Sequence, residues 1–180
     1  IAFMKSLANN LTISRIILAP IILLLLLSSQ YLYALILFIL AALTDYFDGY
    51  IARKYEQESQ MGGILDPIAD KLVVIPCLIF FSCSGLLNPI LVGILASRDI
   101  AVTVIRLKDL KKHEVYDKAN MMGKLKTVLS FVILTLAMLA HIVEIGISIE
   151  VLGYIVNGLL FLALVLSLSG SLKFLKGSVA

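Results

Sequence analysis

Beyond residue 12 this chain is a succession of long apolar runs broken by short polar segments, and that pattern limits its fold more than any single motif. In hydrocarbon, backbone amides and carbonyls have no water to bond, so an apolar run must satisfy them internally, as a helix does. Hydrophobic residues make up 61% of the 180, with no tryptophan, which is too apolar for a soluble domain of this size. The expected architecture is an all-α integral membrane protein, one domain over residues 1–180, with six transmembrane helices behind a short N-terminal surface helix. The net charge of +3 is too small to indicate nucleic acid as a partner.

Taken in order, residues 4–10 suit the membrane surface, and Asn10 or Thr12 reads as the cap of a helix starting near Ile13 and ending near Ser29, with Pro20 inside it. Ile1, Ala2 and Phe3 precede Met4, a natural starting residue, and are expected to be additions ahead of it; no cleavable signal peptide is expected either. A second run ends at Leu43, too short to cross about 30 Å of hydrocarbon at about 1.5 Å per residue. It must therefore continue through Asp45 and Asp48 to about Arg53, which sets that acidic pair roughly 8–12 Å inward from Arg53. Residues 54–63 read as a charged, glycine-ended loop. Asp66-Pro67 reads as an N-cap followed by proline at the first helical position, opening a third span that reaches Cys83.

Gly85, Asn88 and Pro89 make the next turn, and a fourth span covers 89–107, with Arg98 and Asp99 near its middle. Residues 108–126 form a basic loop, the fifth span runs to Val143, and the sixth covers 151–174. In the sixth, Asn157 is placed to bond a neighbouring helix, and Gly153 and Gly158 are placed for close packing. Cys77 and Cys83 are expected to be separate thiols. His113 reads as a surface residue, and His141, at the far end of its span, as a poor catalytic candidate. Lys and Arg cluster near both termini and in the loops after the second and fourth spans, while the turns near Ser29, Gly85 and Gly146 have none. Both termini are therefore expected on the cytoplasmic side.

The stretch from Asp45 to Asp70 is where charge enters this oily chain. Asp45 and Asp48 are three apart, Asp66 and Asp70 four apart, so on helices each pair shares a face. If the two helices are antiparallel, four carboxylates converge, and they cannot all stay ionised without a cation among them. Oxygen-only donors suit hard ions such as Mg²⁺, Mn²⁺ or Ca²⁺. Asp66 as a helix cap is the bland alternative. Asp70 has no such alternative, because Lys71 beside it points elsewhere on a helix.

Written as spacing, the stretch is D-x2-D-G-x2-A-R-x8-G-x3-D-x3-D, carried by Asp45, Asp48, Gly49, Ala52, Arg53, Gly62, Asp66 and Asp70. It resembles the signature of the CDP-alcohol phosphotransferases, integral membrane enzymes of phospholipid synthesis, and eight positions at roughly one chance in 20 each make accident very improbable. The resemblance implies that Asp45, Asp48, Asp66 and Asp70 ligate Mg²⁺ or Mn²⁺, two ions in all, and that Asp70 is also the general base. It implies a CDP-linked lipid donor, usually CDP-diacylglycerol, gripped by Arg53, with Gly49, Ala52 and Gly62 giving the nucleotide room. It further implies a homodimer among membrane lipids, in a bacterial cytoplasmic membrane, with the active site on the cytoplasmic side.

Within the family, NNLTISRIILAP and the GKLKT stretch at residues 123–127 resemble the phosphatidylglycerophosphate synthases, whose acceptor is sn-glycerol 3-phosphate. Arg98, Arg106, Lys124 and Lys126 then become the cations expected to bind the acceptor phosphate. That branch usually has Ala-Arg-Glu where this chain has Ser97-Arg98-Asp99, which keeps inositol phosphate and phosphatidylglycerol as alternative acceptors. Arg15 fits a snorkelling charge and a substrate-facing one equally. From other classes, a small ion or proton transporter would also carry intramembrane Asp and Arg, but all four aspartates gather at one membrane face; a structural adaptor has no use for them.

Overall fold

A computed structural model describes the backbone of residues 2–54, 60–113, 121–142 and 149–177, and the side chains of residues 13–44, 68–105, 125–142 and 150–169. Among the described residues the chain is all helix: α1 Ala2–Leu27, α2 Tyr31–Lys54, α3 Gln60–Cys83, α4 Pro89–His113, α5 Met121–Ile142 and α6 Ile149–Gly177. It divides into two compact units, Ile1–Cys77 and Leu78–Ala180, with the boundary inside α3.

In the first unit α1 and α2 form an antiparallel hairpin. Its turn is closed by the Gln30 amide donating to the Leu25 carbonyl (2.8 Å) and the Ser29 amide to the Leu26 carbonyl (3.0 Å). This is the Schellman pattern, and it puts Ser29 in the left-handed region at φ 58°. The second unit repeats the device with a better-suited residue: Gly85, at φ 83°, ends α3 while the Leu86 amide returns to the Phe81 carbonyl (3.1 Å). Asn88 then caps α4, its Oδ1 accepting from the Ile90 amide at 2.9 Å, with Pro89 at the first helical position.

Each helix buries a narrow stripe at three- and four-residue spacing. In the first unit the stripes are Arg15, Ala19, Ile22 and Leu26 on α1 and Ala34, Phe38 and Ala41 on α2. In the second they are Val92, Leu95 and Asp99 on α4, Lys126, Ser130, Ile133 and Ala137 on α5, and Val156, Leu160, Ala163 and Ser167 on α6. α6 packs against both α5 and α4. Outside the stripes, large apolar side chains such as Leu24, Ile90, Val128 and Phe161 are exposed. Among the described residues two helices contain segments long and apolar enough to cross a bilayer, Leu125–Ile142 and Glu150–Ser169, and Ile13–Leu27 and Tyr31–Thr44 are shorter apolar segments.

Four helix starts or ends differ from the sequence expectation, one of them the start of α5 at Met121, inside the stretch 108–126 expected to be loop. α1 is continuous from Ala2, so neither Asn10 nor Thr12 caps a helix. α3 begins at Gln60, six residues before Asp66, so Asp66 is no N-cap and Pro67 lies inside the helix. The proline gives up one backbone bond there, and the start signal written in two residues yields to the continuity of a long helix. α4 continues past Leu107 to His113, so that Lys111 and Lys112 fall in its last turn, the end of a helix that favours positive charge.

Candidate active site

The acidic signature lies on regular backbone. Asp45, Asp48, Gly49, Ala52 and Arg53 are in the last turns of α2, and Gly62, Asp66 and Asp70 are in the first turns of α3. Spacings of three and four on helices give each aspartate pair a common face. With Asp66 inside α3, its capping role is removed and its place beside Asp70 one turn on is what remains. The side chains of Asp45, Asp48, Ala52, Arg53 and Asp66, like the surroundings of Gly49 and Gly62, lie outside the described residues. So do the side chains of Arg106 on α4 and Lys124 on α5.

Asp70 is described. Its neighbours Ala69 and Val73 are buried, and its own side chain is partly exposed. Lys71 does reach it, with Nζ 3.0 Å from Oδ2, against the expectation that adjacent helical residues diverge. The Cβ vectors diverge by about 100°, but a four-carbon stem is long enough to bring the ammonium back. Arg98 and Asp99, also adjacent on a helix, are joined in the same way, with Nη1 and Oδ1 3.1 Å apart.

The second set of site residues is gathered by α4, α5 and α6. Arg98 donates from Nη2 to the Ser167 carbonyl on α6 at 2.5 Å while its Nη1 holds Asp99. Lys126 on α5 donates from Nζ to Oδ2 of Asp99. Both ends of that pair are buried, and Ser130 Oγ one turn along α5 bonds the Lys126 carbonyl at 3.1 Å. Of the four cations expected at an acceptor phosphate, Arg98 and Lys126 are thus brought onto one carboxylate. Sequence reasoning missed Asp99 as their common partner. The signal was present in the spacing of Val92, Leu95 and Asp99, which puts the aspartate on the inward stripe of α4.

Arg15 is the charged member of the α1 stripe, 2% exposed, which removes the snorkelling reading. Counting equally in both directions from Ser29, the hairpin sets Arg15 at the level of Leu43, within a turn of Asp45. Elsewhere, His141 bonds the Ala137 carbonyl through Nδ1 at 2.9 Å and lies 5.7 Å from the Phe81 ring. Asn157 bonds the turn before α4, as expected in kind. Among the described residues nothing lies within 4 Å of a Cβ built at Gly153 or Gly158, so no described neighbour packs closely there. Cys77 and Cys83 are both free thiols.

Two aspartate pairs at helical spacing on α2 and α3, and a largely buried Arg98–Asp99–Lys126 cluster on α4 and α5, are the charged features of an otherwise apolar helical chain. The match to the CDP-alcohol phosphatidyltransferase family spans residues 5–168, and the chain belongs to that family. It is thereby a transferase of phospholipid biosynthesis and a membrane protein.

Three similar proteins carry the name CDP-diacylglycerol–glycerol-3-phosphate 3-phosphatidyltransferase. That of Aquifex aeolicus is 43% identical over 99 residues, 53% of this chain and 55% of the Aquifex protein. That of Rickettsia typhi is 41% identical over 126 residues, 60% and 70% of the two chains. That of Bacillus subtilis is 38% identical over 139 residues, 69% and 72% of the two chains. The matched region thus spans little more than half the length of the Aquifex relative.

Proposed function

We propose that this protein transfers the phosphatidyl group of CDP-diacylglycerol to sn-glycerol 3-phosphate, giving phosphatidylglycerophosphate and CMP. What supports the reading is the four-aspartate signature carried on α2 and α3, within a family match that spans it and among three relatives sharing this name. The acceptor hydroxyl forms its bond to the phosphorus bearing diacylglycerol as the bond from that phosphorus to CMP breaks. Asp70 takes the hydroxyl proton. Arg53 grips the diphosphate through its planar fork, and Gly49, Ala52 and Gly62 let the nucleotide approach the backbone. Arg98, Arg106, Lys124 and Lys126 bind the acceptor phosphate.

The donor set fits Mg²⁺ or Mn²⁺, since Asp45, Asp48, Asp66 and Asp70 supply only oxygens and sit as two same-face helical pairs. Bound there, two such ions supply neutralisation of the diphosphate and of charge on the transferring group. We place the six helices across a bacterial cytoplasmic membrane as six spans, with both termini and the site on the cytoplasmic side. Cytidine diphosphate then stays wet while the acyl chains remain in lipid. A homodimer is the assembly proposed.

The test is CMP release by the purified protein in detergent or liposomes, with CDP-diacylglycerol, Mg²⁺ or Mn²⁺ and, in turn, glycerol 3-phosphate, inositol phosphate and phosphatidylglycerol. Release that needs metal and glycerol 3-phosphate supports the reading. Selectivity for another acceptor, or no release from folded protein, overturns it.

A further inference from the structure

Asp99 is a buried carboxylate to which the proposed reaction gives no task. It is 4% exposed, and its two oxygens are divided between two cations from two helices: Oδ1 lies 3.1 Å from Arg98 Nη1, and Oδ2 accepts from Lys126 Nζ. Arg98 is held a second time, by the Ser167 carbonyl of α6 at 2.5 Å from Nη2. Anchoring both terminal nitrogens fixes the plane of the guanidinium as well as its place. The Lys126 stem enters from the inward stripe of α5, where Ser130 bonds its backbone carbonyl.

Arginine and lysine side chains are long and rotamer-rich, and two like charges set close together in a dry layer repel. One carboxylate between them removes both difficulties: it offsets the repulsion and selects one orientation for each head group before any ligand arrives. A staple joining α4 to α5 would need the Lys126 bond alone. The simultaneous hold on Arg98 is what a preoriented pair of cations requires.

We propose that Asp99 is a positioning residue for the acceptor: without touching it, Asp99 holds Arg98 and Lys126 in the one arrangement in which they receive a phosphate monoester together. This rests on the reading of Arg98 and Lys126 as acceptor-phosphate ligands. Asp99→Asn keeps the size and removes the charge that both cations share. Asp99→Glu keeps the charge and displaces both head groups by one methylene.

The experiment measures CMP release by the full chain in detergent, taking KM for glycerol 3-phosphate and for CDP-diacylglycerol separately, together with kcat and melting temperature. Asp99→Asn is expected to raise the acceptor KM about tenfold or more, the scale of one charge-assisted bond, with the donor KM within about twofold. Asp99→Glu is expected to give a severalfold rise in the acceptor KM alone. Should Asp99→Asn fail to fold, Asp99→Glu carries the test by itself.

Acceptor KM values within about twofold of the parent, with only the melting temperature lowered, would reduce Asp99 to a helix staple and overturn the proposal; so would equal rises for donor and acceptor. Arg98→Ala and Lys126→Ala, measured in parallel, separate the two levels. If neither raises the acceptor KM, the phosphate-ligand reading fails and the positioning role with it. If both do and the Asp99 variants do not, the positioning role alone is wrong.

Discussion

Replacing Asn157 by leucine removes a side chain of similar size that makes three hydrogen bonds, two of them to the turn between α3 and α4. Oδ1 accepts from the Asn88 amide at 2.7 Å, and Nδ2 donates to the carbonyls of Leu86 at 3.0 Å and Gly153 at 2.8 Å. The Gly153 carbonyl keeps its helical partner when the side chain goes, so that loss costs little. The two bonds to the turn are each worth about 0.5–1.5 kcal/mol net, which gives about 1–3 kcal/mol for the substitution. The Asn88 amide is exposed and water replaces Asn157 there, while the Leu86 carbonyl, held in a part-buried bond, loses more. In a chain of this length about 1 kcal/mol moves the melting temperature by roughly 2–4 °C, so a drop of roughly 2–12 °C is expected.

The protein supplies its own reporter for that measurement. Cys77 is buried and Cys83 exposed, so in a Cys83→Ser background a thiol-reactive dye reads the opening of the core on heating. A change below about 1 °C would refute the reasoning. Asn157→Asp sharpens the test, because it keeps the acceptor for Asn88 and sets a carboxylate oxygen against two carbonyl oxygens. It should melt at or below the leucine variant, and parent-like melting would mean that the amide does not make these bonds.

Three further outcomes are expected. Asp70→Asn should leave the melting temperature near the parent's and lower CMP release by about 10²–10⁴-fold, the range for a lost general base; near-normal turnover removes Asp70 from that role. Chelation with EDTA should abolish CMP release and added Mg²⁺ or Mn²⁺ should restore it, whereas activity that persists through exhaustive chelation contradicts a carboxylate metal site. Gly158→Ala, in mid-helix with open space around the new methyl, should raise stability by about 0.5–1 kcal/mol, read as a melting temperature higher by a few degrees. A lower melting temperature would show that another surface fills that space in the assembled protein.

The apolar runs made the helices legible, because length and hydropathy are properties of whole segments. What was illegible depended on two or three residues. Asp66-Pro67 and Asn10 or Thr12 are sound helix-start signals locally, yet α3 and α1 run through them, since a long helix can absorb one lost backbone bond or one unused cap. The aspartate signature was legible because its spacing is internal to two helices. Asp99 was not, because its main partner, Lys126, stands 27 residues away on another helix. Gly153 and Gly158 show the opposite case: small residues at helical spacing suggested contact, and the described neighbours leave them open.

The buried stripes account for why charge appears where it does. On each of four helices the stripe is apolar along most of its length and polar at one end: Arg15 at the start on α1, Asp99 at the end on α4, Lys126 and Ser130 at the start on α5, Ser167 at the end on α6. Successive helices of an up-and-down chain reverse direction, so ends that alternate in sequence coincide in space. In the second unit they do coincide, since Asp99, Lys126 and Ser167 are joined through bonds shared with Arg98. In the first unit the hairpin sets Arg15 at the level of the α2 turn that carries Asp45. A charge moved one helical turn toward the apolar part of its stripe would lose these partners and keep its desolvation penalty. Within each unit the polar end of the stripe is therefore held in place by the cost of every alternative position.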